Sequence, residues 1–160
     1  MRTRYVSFSL ASGRYCIPVD QVIQILRLEN LIEIPKPPPY VEGVLNIRGE
    51  IIPVVSLRTR LGIGVAAGEA SAPAAADQRK RRVIVTRLGN RSYGLDVDEV
   101  REIVDIEEGG ITSDATTLLG VRADFMLGIA QREESVYIVL DLSRVLGIQR
   151  DLPGALAGQG

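Results

Sequence analysis

The 160-residue sequence contains no histidine. That absence removes the commonest general base, the commonest metal ligand and any phosphohistidine chemistry. By itself the chain is therefore expected to be neither a histidine kinase nor a phosphotransfer module. Tryptophan is also missing and aromatic residues make up only 4%, so platforms for stacking single-stranded nucleic acid are poorly supplied. The single cysteine, Cys16, rules out an internal disulfide and fits a reducing compartment. Its expected place is a small buried or half-buried strand position. A formal net charge of −1 gives no long-range field for nucleic acid or an anionic membrane. No apolar run approaches the roughly 20 residues of a membrane-spanning helix. The opening Met1-Arg-Thr-Arg-Tyr-Val-Ser lacks the apolar core of a signal peptide, so export is not expected. The expectations from these absences are no metal, no cofactor, no nucleic acid and no direct membrane insertion.

What is present is ordinary globular composition, 46% hydrophobic and 24% charged. The length suffices for a core, as one domain or as two small subdomains sharing an interface. The most informative stretch is Pro35–Arg58. Its prolines stiffen the approach, and two short runs rich in β-branched residues, Val44–Ile47 and Ile51–Val55, flank Arg48-Gly49-Glu50. This pattern predicts a β-hairpin whose turn uses the freedom of Gly49, with Arg48 at its tip. Ser56 then caps a short helix, Leu57–Leu61. Upstream, Tyr5–Leu10 alternates as a half-buried strand, Ala11–Arg14 is a turn, and Tyr15, Ile17 and Val19 form a second strand. The segment from Asp20 to Leu28 reads as a turn leading into a strand from about Gln24. Residues 64–77 are rich in alanine and carry almost no large side chains, which predicts a mobile loop and a boundary. Arg79-Lys80-Arg81-Arg82 reads as a solvated lead-in to a strand rather than a nucleic-acid patch.

The second half repeats the first. Tyr15-x-Ile-x-Val-Asp-Gln-Val-x-Gln-Ile25 matches Tyr93-x-Leu-x-Val-Asp-Glu-Val-x-Glu-Ile103 at a separation of 78 positions. Tyr40–Val44 matches Phe125–Ile129, and Ile51–Leu61 matches Val136–Leu146, both at 85. Asp141 takes the capping place of Ser56. The fold class expected is all-β with short helices: two related units, each a small barrel of about five strands.

The segment Pro38–Arg58, with the Gly13–Val22 opening, resembles the CheW coupling proteins of bacterial chemotaxis over about Tyr5 to Leu146. The resemblance implies two SH3-like five-stranded β-barrel subdomains in one CheW-like domain spanning residues 1–147, with a groove between them. Subdomain 1 would cover about 5–64, a mobile loop about 65–79, subdomain 2 about 80–147, and a flexible tail 148–160. It also implies a non-enzymatic adaptor that couples the cytoplasmic hairpin tip of a chemoreceptor to the regulatory domain of a CheA-type kinase. Such a protein would be cytoplasmic and recruited to membrane-associated receptor arrays. A CheW-like scaffold of a non-flagellar chemosensory pathway, serving surface motility, pili or development, is the alternative.

By the same resemblance, Val22 and Arg48 match positions tied to receptor and array binding, with Gly49 beside the arginine. Gly43 and Gly94 match glycines where bulk is poorly tolerated. The repeat pairs Val22/Ile25 and Val100/Ile103 would supply apolar walls for a groove taking a receptor helix tip; the same four side chains also fit plain barrel core. Two departures stand out. Gln24 replaces a glutamate that commonly pairs with the hairpin arginine. The loop 111–117 places Thr112, Thr116 and Thr117 where better-known members carry residues used against the kinase, so that contact is expected to be weaker. Two rival readings fare worse. Asp96 and Asp98 lie two apart on a strand, but the repeat puts Pro18 opposite Asp96, and alternate strand acids usually face solvent. The PxxP spacing in Pro35–Pro39 sits directly before a hairpin and reads as a structural lead-in.

Overall fold

The structure is a computed structural model and describes residues 2–63, 78–112 and 123–147. Eleven strands among these residues form two sheets. In chain order they are β1 (Arg2–Leu10), β2 (Gly13–Pro18), β3 (Val22–Arg27), β4 (Val41–Ile47), β5 (Glu50–Ser56), β6 (Arg82–Leu88), β7 (Arg91–Val97), β8 (Glu99–Glu107), β9 (Ile111–Thr112), β10 (Met126–Arg132) and β11 (Ser135–Leu140). Two one-turn helices, α1 (Leu57–Leu61) and α2 (Leu142–Leu146), follow β5 and β11. One sheet runs β8-β1-β2-β11-β10-β9 and the other β3-β6-β7-β5-β4. The expected mostly-β fold with short helices is what the chain adopts. The expected alanine-rich loop lies outside the described residues but for Gln78 and Arg79, which begin a 3-10 turn; the tail 148–160 lies wholly outside.

The repeat is visible in the register. Val22 pairs with Thr86 across β3 and β6, and Val100 pairs with Phe8 across β8 and β1. Val54 pairs with Gly94 across the parallel β5 and β7, and Val139 pairs with Cys16 across the parallel β11 and β2. Shifting each pair by 78 and 85 positions turns one into the other. The strands are not sorted by half, however, as a tandem of separate units would have them. The first hairpin of each repeat sits in the sheet of the other: β1–β2 joins β8–β11, and β6–β7 joins β3–β5. The crossovers between the sheets are short. A 3-10 turn, Val19–Gln21, links β2 to β3, and Asp98 alone links β7 to β8. Pro18, lacking an amide hydrogen, ends its strand there.

Exchanged hairpins make the interface between sheets the largest part of the core. One cluster of buried side chains joins Phe8, Leu10, Tyr15 and Ile17 of one sheet to Ile84, Leu95 and Val55 of the other, together with Leu57, Leu61, Leu142, Val145 and Leu146 of the helices. Smaller clusters lie on either side, around Cys16, Val104 and Val139 and around Leu45, Ile52, Val54 and Val83. Arg60 ties the two repeats together. Its guanidinium lies 4.4 Å from the Tyr40 ring centre and 4.8 Å from that of Phe125, which are equivalent positions. Its Nε donates to the carbonyl of Val145, its own equivalent, at 2.6 Å.

Both helices are capped as the sequence predicts. Ser56 Oγ accepts from the Thr59 amide at 3.3 Å, and Asp141 Oδ1 accepts from the Ser143 amide at 3.2 Å.

Candidate functional site

The β4–β5 hairpin is closed by two residues, since Ile47 pairs with Glu50. Arg48 has φ +54° and Gly49 φ +88°, the double left-handed conformation that matches strand twist in a two-residue turn. Glu50 therefore belongs to β5 and not to the turn. Asn46 Oδ1 accepts from the Gly49 amide at 2.9 Å and braces the turn. Arg48 is exposed and left-handed without being glycine or asparagine, a conformation that costs roughly 1–2 kcal/mol. Among the described residues no hydrogen bond joins it to Gln24.

The hairpin base is fastened by a bulge at Val41–Gly43. Val44 and Ile32 exchange two backbone hydrogen bonds of 2.8 Å. Gly43 has φ +153°, and a Cβ there would lie 2.4 Å from the Ile32 carbonyl oxygen. Gly94 is confined differently: an added Cβ would meet a methyl of Val83 at 2.7 Å.

The four apolar positions divide cleanly. Val22 and Val100 are half-buried and pack against the large shared core. Ile25 and Ile103 are exposed, at 41% and 59%. All four stand on β3 and β8, which end their sheets on equivalent sides. Ile25 lies opposite Ile84 and Ile103 opposite Val6, both members of the shared core. Each isoleucine therefore continues the core-facing surface of its sheet out past the packed region. Among the described residues that core lies between the sheets, and the surface these isoleucines offer is at its margin. Sequence reasoning passed over Ile23, exposed at 46%; the alternation Ile23-Gln24-Ile25-Leu26 in β3 was the available signal.

A shallow depression lined by Leu26, Arg27, Glu29, Ile32, Asn46 and Ile47 reaches from β3 to the foot of the arginine turn. Thr112 lies in β9, exposed and paired with Ile129; Thr116 and Thr117 lie outside the described residues.

Asp96 and Asp98 do not face solvent, contrary to expectation. Arg81 binds the Asp96 carboxylate through Nε and NH2, and Arg58 binds that of Asp98 through the same two atoms, at 2.6–3.2 Å. Each acid is already neutralised by a guanidinium, which does not suit acid–base work. Cys16 is fully buried, and burial pushes its thiol up to about 12, so it holds its proton and is a poor nucleophile. Among the described residues no group of three or more acids or thiols could hold a metal ion, and no helix is long and apolar enough to cross a membrane.

The family model for the CheW-like domain matches residues 4–150. The chain belongs to the CheW-like family. A chemotaxis protein CheW of Treponema pallidum is 26% identical over 140 residues, 88% of this chain and 79% of that one. A chemotaxis protein CheW of Bacillus subtilis is 27% identical over 146 residues, 89% of this chain and 86% of that one. The crystal structure of the CheW scaffolding protein of Thermoanaerobacter tengcongensis matches with a TM-score of 0.80 at 27% identity, covering 96% of this chain and 93% of the other. The mostly-β chain with its two sheets thus has the CheW fold, which comprises two SH3-like subdomains. CheW-like proteins are chemotaxis scaffolds, and the features above give a scaffold what it needs: rigid, differently shaped surfaces on one body.

Proposed function

We propose that this chain is a non-enzymatic adaptor that couples the cytoplasmic hairpin tips of chemoreceptors to the regulatory domain of a CheA-type kinase, working in the cytoplasm at membrane-associated arrays. The observation that supports this most is the pair of exposed isoleucines, Ile25 and Ile103, at the margin of the shared core. A receptor tip is helical, and an apolar stripe on a helix would extend the core by docking there. Arg48, exposed on a braced turn of the first repeat, offers a positive charge to the same partner, and the second hairpin, with Thr112 alongside, is the surface we assign to the kinase. Each contact is small, and array multivalency makes the assembly stable.

The test is co-sedimentation of the purified protein with a receptor signalling domain and the kinase, with kinase activity measured in parallel. Ile25→Asp with Ile103→Asp is the variant of choice, because both side chains are already exposed and the core is left alone; Val22→Asp would damage packing as well. The double variant should stay folded and lose receptor-dependent kinase activation. Full activation by a folded double variant would contradict the assignment.

A further inference from the structure

We propose that Glu42 holds a proton at neutral pH within a charge cluster found in one repeat alone, and that releasing this proton at alkaline pH loosens the bulged base of the β4–β5 hairpin. The cluster has three carboxylates and two guanidiniums. Glu42 comes from β4, Arg81 from the residue before β6, Asp96 from β7, Asp98 from the β7–β8 crossover and Arg58 from α1. The two arginines are committed to Asp96 and Asp98. Glu42 is left with Arg81 NH2 at 3.7 Å, while its Oε1 is buried without a hydrogen-bond partner. Among these five groups one half-buried negative charge is therefore in excess, and a proton is the simplest way to remove it.

The other repeat makes the point sharper. The positions equivalent to Glu42, Arg81, Asp96 and Arg58 are Leu127, Thr3, Pro18 and Ser143; only Asp98 keeps an acid, Asp20. The same fold is built there without the cluster, so the strand arrangement does not require it. Burial, then hydrogen bonding to Asp96 and repulsion from it, raise Glu42 to about 8, against the pull of Arg81. An acid raised in the folded state contributes stability that is complete below its unfolded value and lost as pH rises through the folded one. Glu42 sits between Val41 and Gly43, inside the bulge that meets Ile32. Ionisation would place a second negative charge against Asp96 at the point where the hairpin is fastened. The consequence for partner binding rests on the reading of Arg48 above; the proton site does not.

The test is carboxyl carbon NMR of the full chain between pH 5 and 10, with amide exchange at Ile32 and Val44. One glutamate should titrate far above its neighbours, and its signal should be missing in Glu42→Gln. The ratio of amide exchange in the parent to that in Glu42→Gln should rise several-fold between pH 6 and pH 9. Asp96→Asn should bring the Glu42 midpoint down toward the ordinary carboxylate range, and this arm stands even if Glu42→Gln does not fold. The proposal is overturned if every glutamate titrates in the ordinary range, if the exchange ratio is the same at both pH values, or if Asp96→Asn leaves the midpoint unmoved. A weakened partner affinity at pH 9 in the parent alone extends the proposal to function. A high midpoint with unchanged affinity leaves the proton site standing and counts against the Arg48 reading.

Discussion

Replacing Arg60 by alanine removes a single side chain that touches both repeats. Its guanidinium is sandwiched between Tyr40 and Phe125 at 4.4 and 4.8 Å and donates to the Val145 carbonyl at 2.6 Å. A half-buried cation–π contact is worth about 1 kcal/mol, and a hydrogen bond from a charged donor about 1.5–3 kcal/mol. Two of the first and one of the second give at most about 5 kcal/mol; water that reaches the vacated carbonyl recovers part of it. The expected loss is therefore about 3 kcal/mol. For a domain of this size that is a fall of roughly 6–12 °C in melting temperature. Arg60→Lys keeps the charge but not a flat group that two rings can face, so it should recover less than half. Urea melts of the parent, Arg60→Ala, Tyr40→Leu and the double variant would measure this, with an Arg60–Tyr40 coupling of about 1 kcal/mol. A loss below about 0.5 kcal/mol, the level of an ordinary surface substitution, would refute the reasoning, because the contact would then be a surface arginine lying over two rings.

Other outcomes follow from the same geometry. Arg48→Asn keeps a residue that tolerates the left-handed turn while removing the charge, so stability should hold or rise by about 0.5–1 kcal/mol as receptor binding falls; calorimetry paired with co-sedimentation separates the two. Gly43→Ala should cost on the order of 3 kcal/mol and Gly94→Ala about 1 kcal/mol, since the first collides with a backbone carbonyl and the second with a movable methyl; chemical denaturation that reversed this order would be evidence against the bulge geometry. Fragments 1–70 and 71–160, made separately, should be unfolded alone and regain strand circular dichroism on mixing, because each sheet needs a hairpin from the other fragment. A cooperative melt from either fragment by itself would contradict that topology. Cys16 should resist thiol reagents in the native state at pH 8 and react only on unfolding.

Much of this was legible in the sequence, for physical reasons. Alternation in Tyr5–Leu10 and Tyr93–Val97 needs only a half-buried strand to explain it, and the turn at Arg48-Gly49 announces itself through glycine. The two helical caps follow from Ser56 and Asp141. The repeat was visible because equivalent residues face equivalent burial. Which sheet a hairpin joins was not visible: Thr86 and its equivalent Phe8 both sit in strands of the same period, and periodicity says nothing about whose strand pairs with Val22. The distinction between Val22 and Ile25 was equally hidden, since both are apolar and only the end of the sheet decides which one water reaches. The charge cluster was misread because Asp96 looks like any strand acid until Arg81, fifteen residues earlier, folds back onto it.

The account rests most heavily on the margin of the shared core being where a receptor tip docks. The most direct measurement is the change in backbone amide shifts of the isotopically labelled protein as a receptor signalling domain is added. The account predicts the largest changes in β3 and β8 around Ile25 and Ile103 and at the Arg48 turn, with the outer strand β9 unmoved. Saturable changes confined to β9–β11, with β3, β8 and the turn silent, would contradict it.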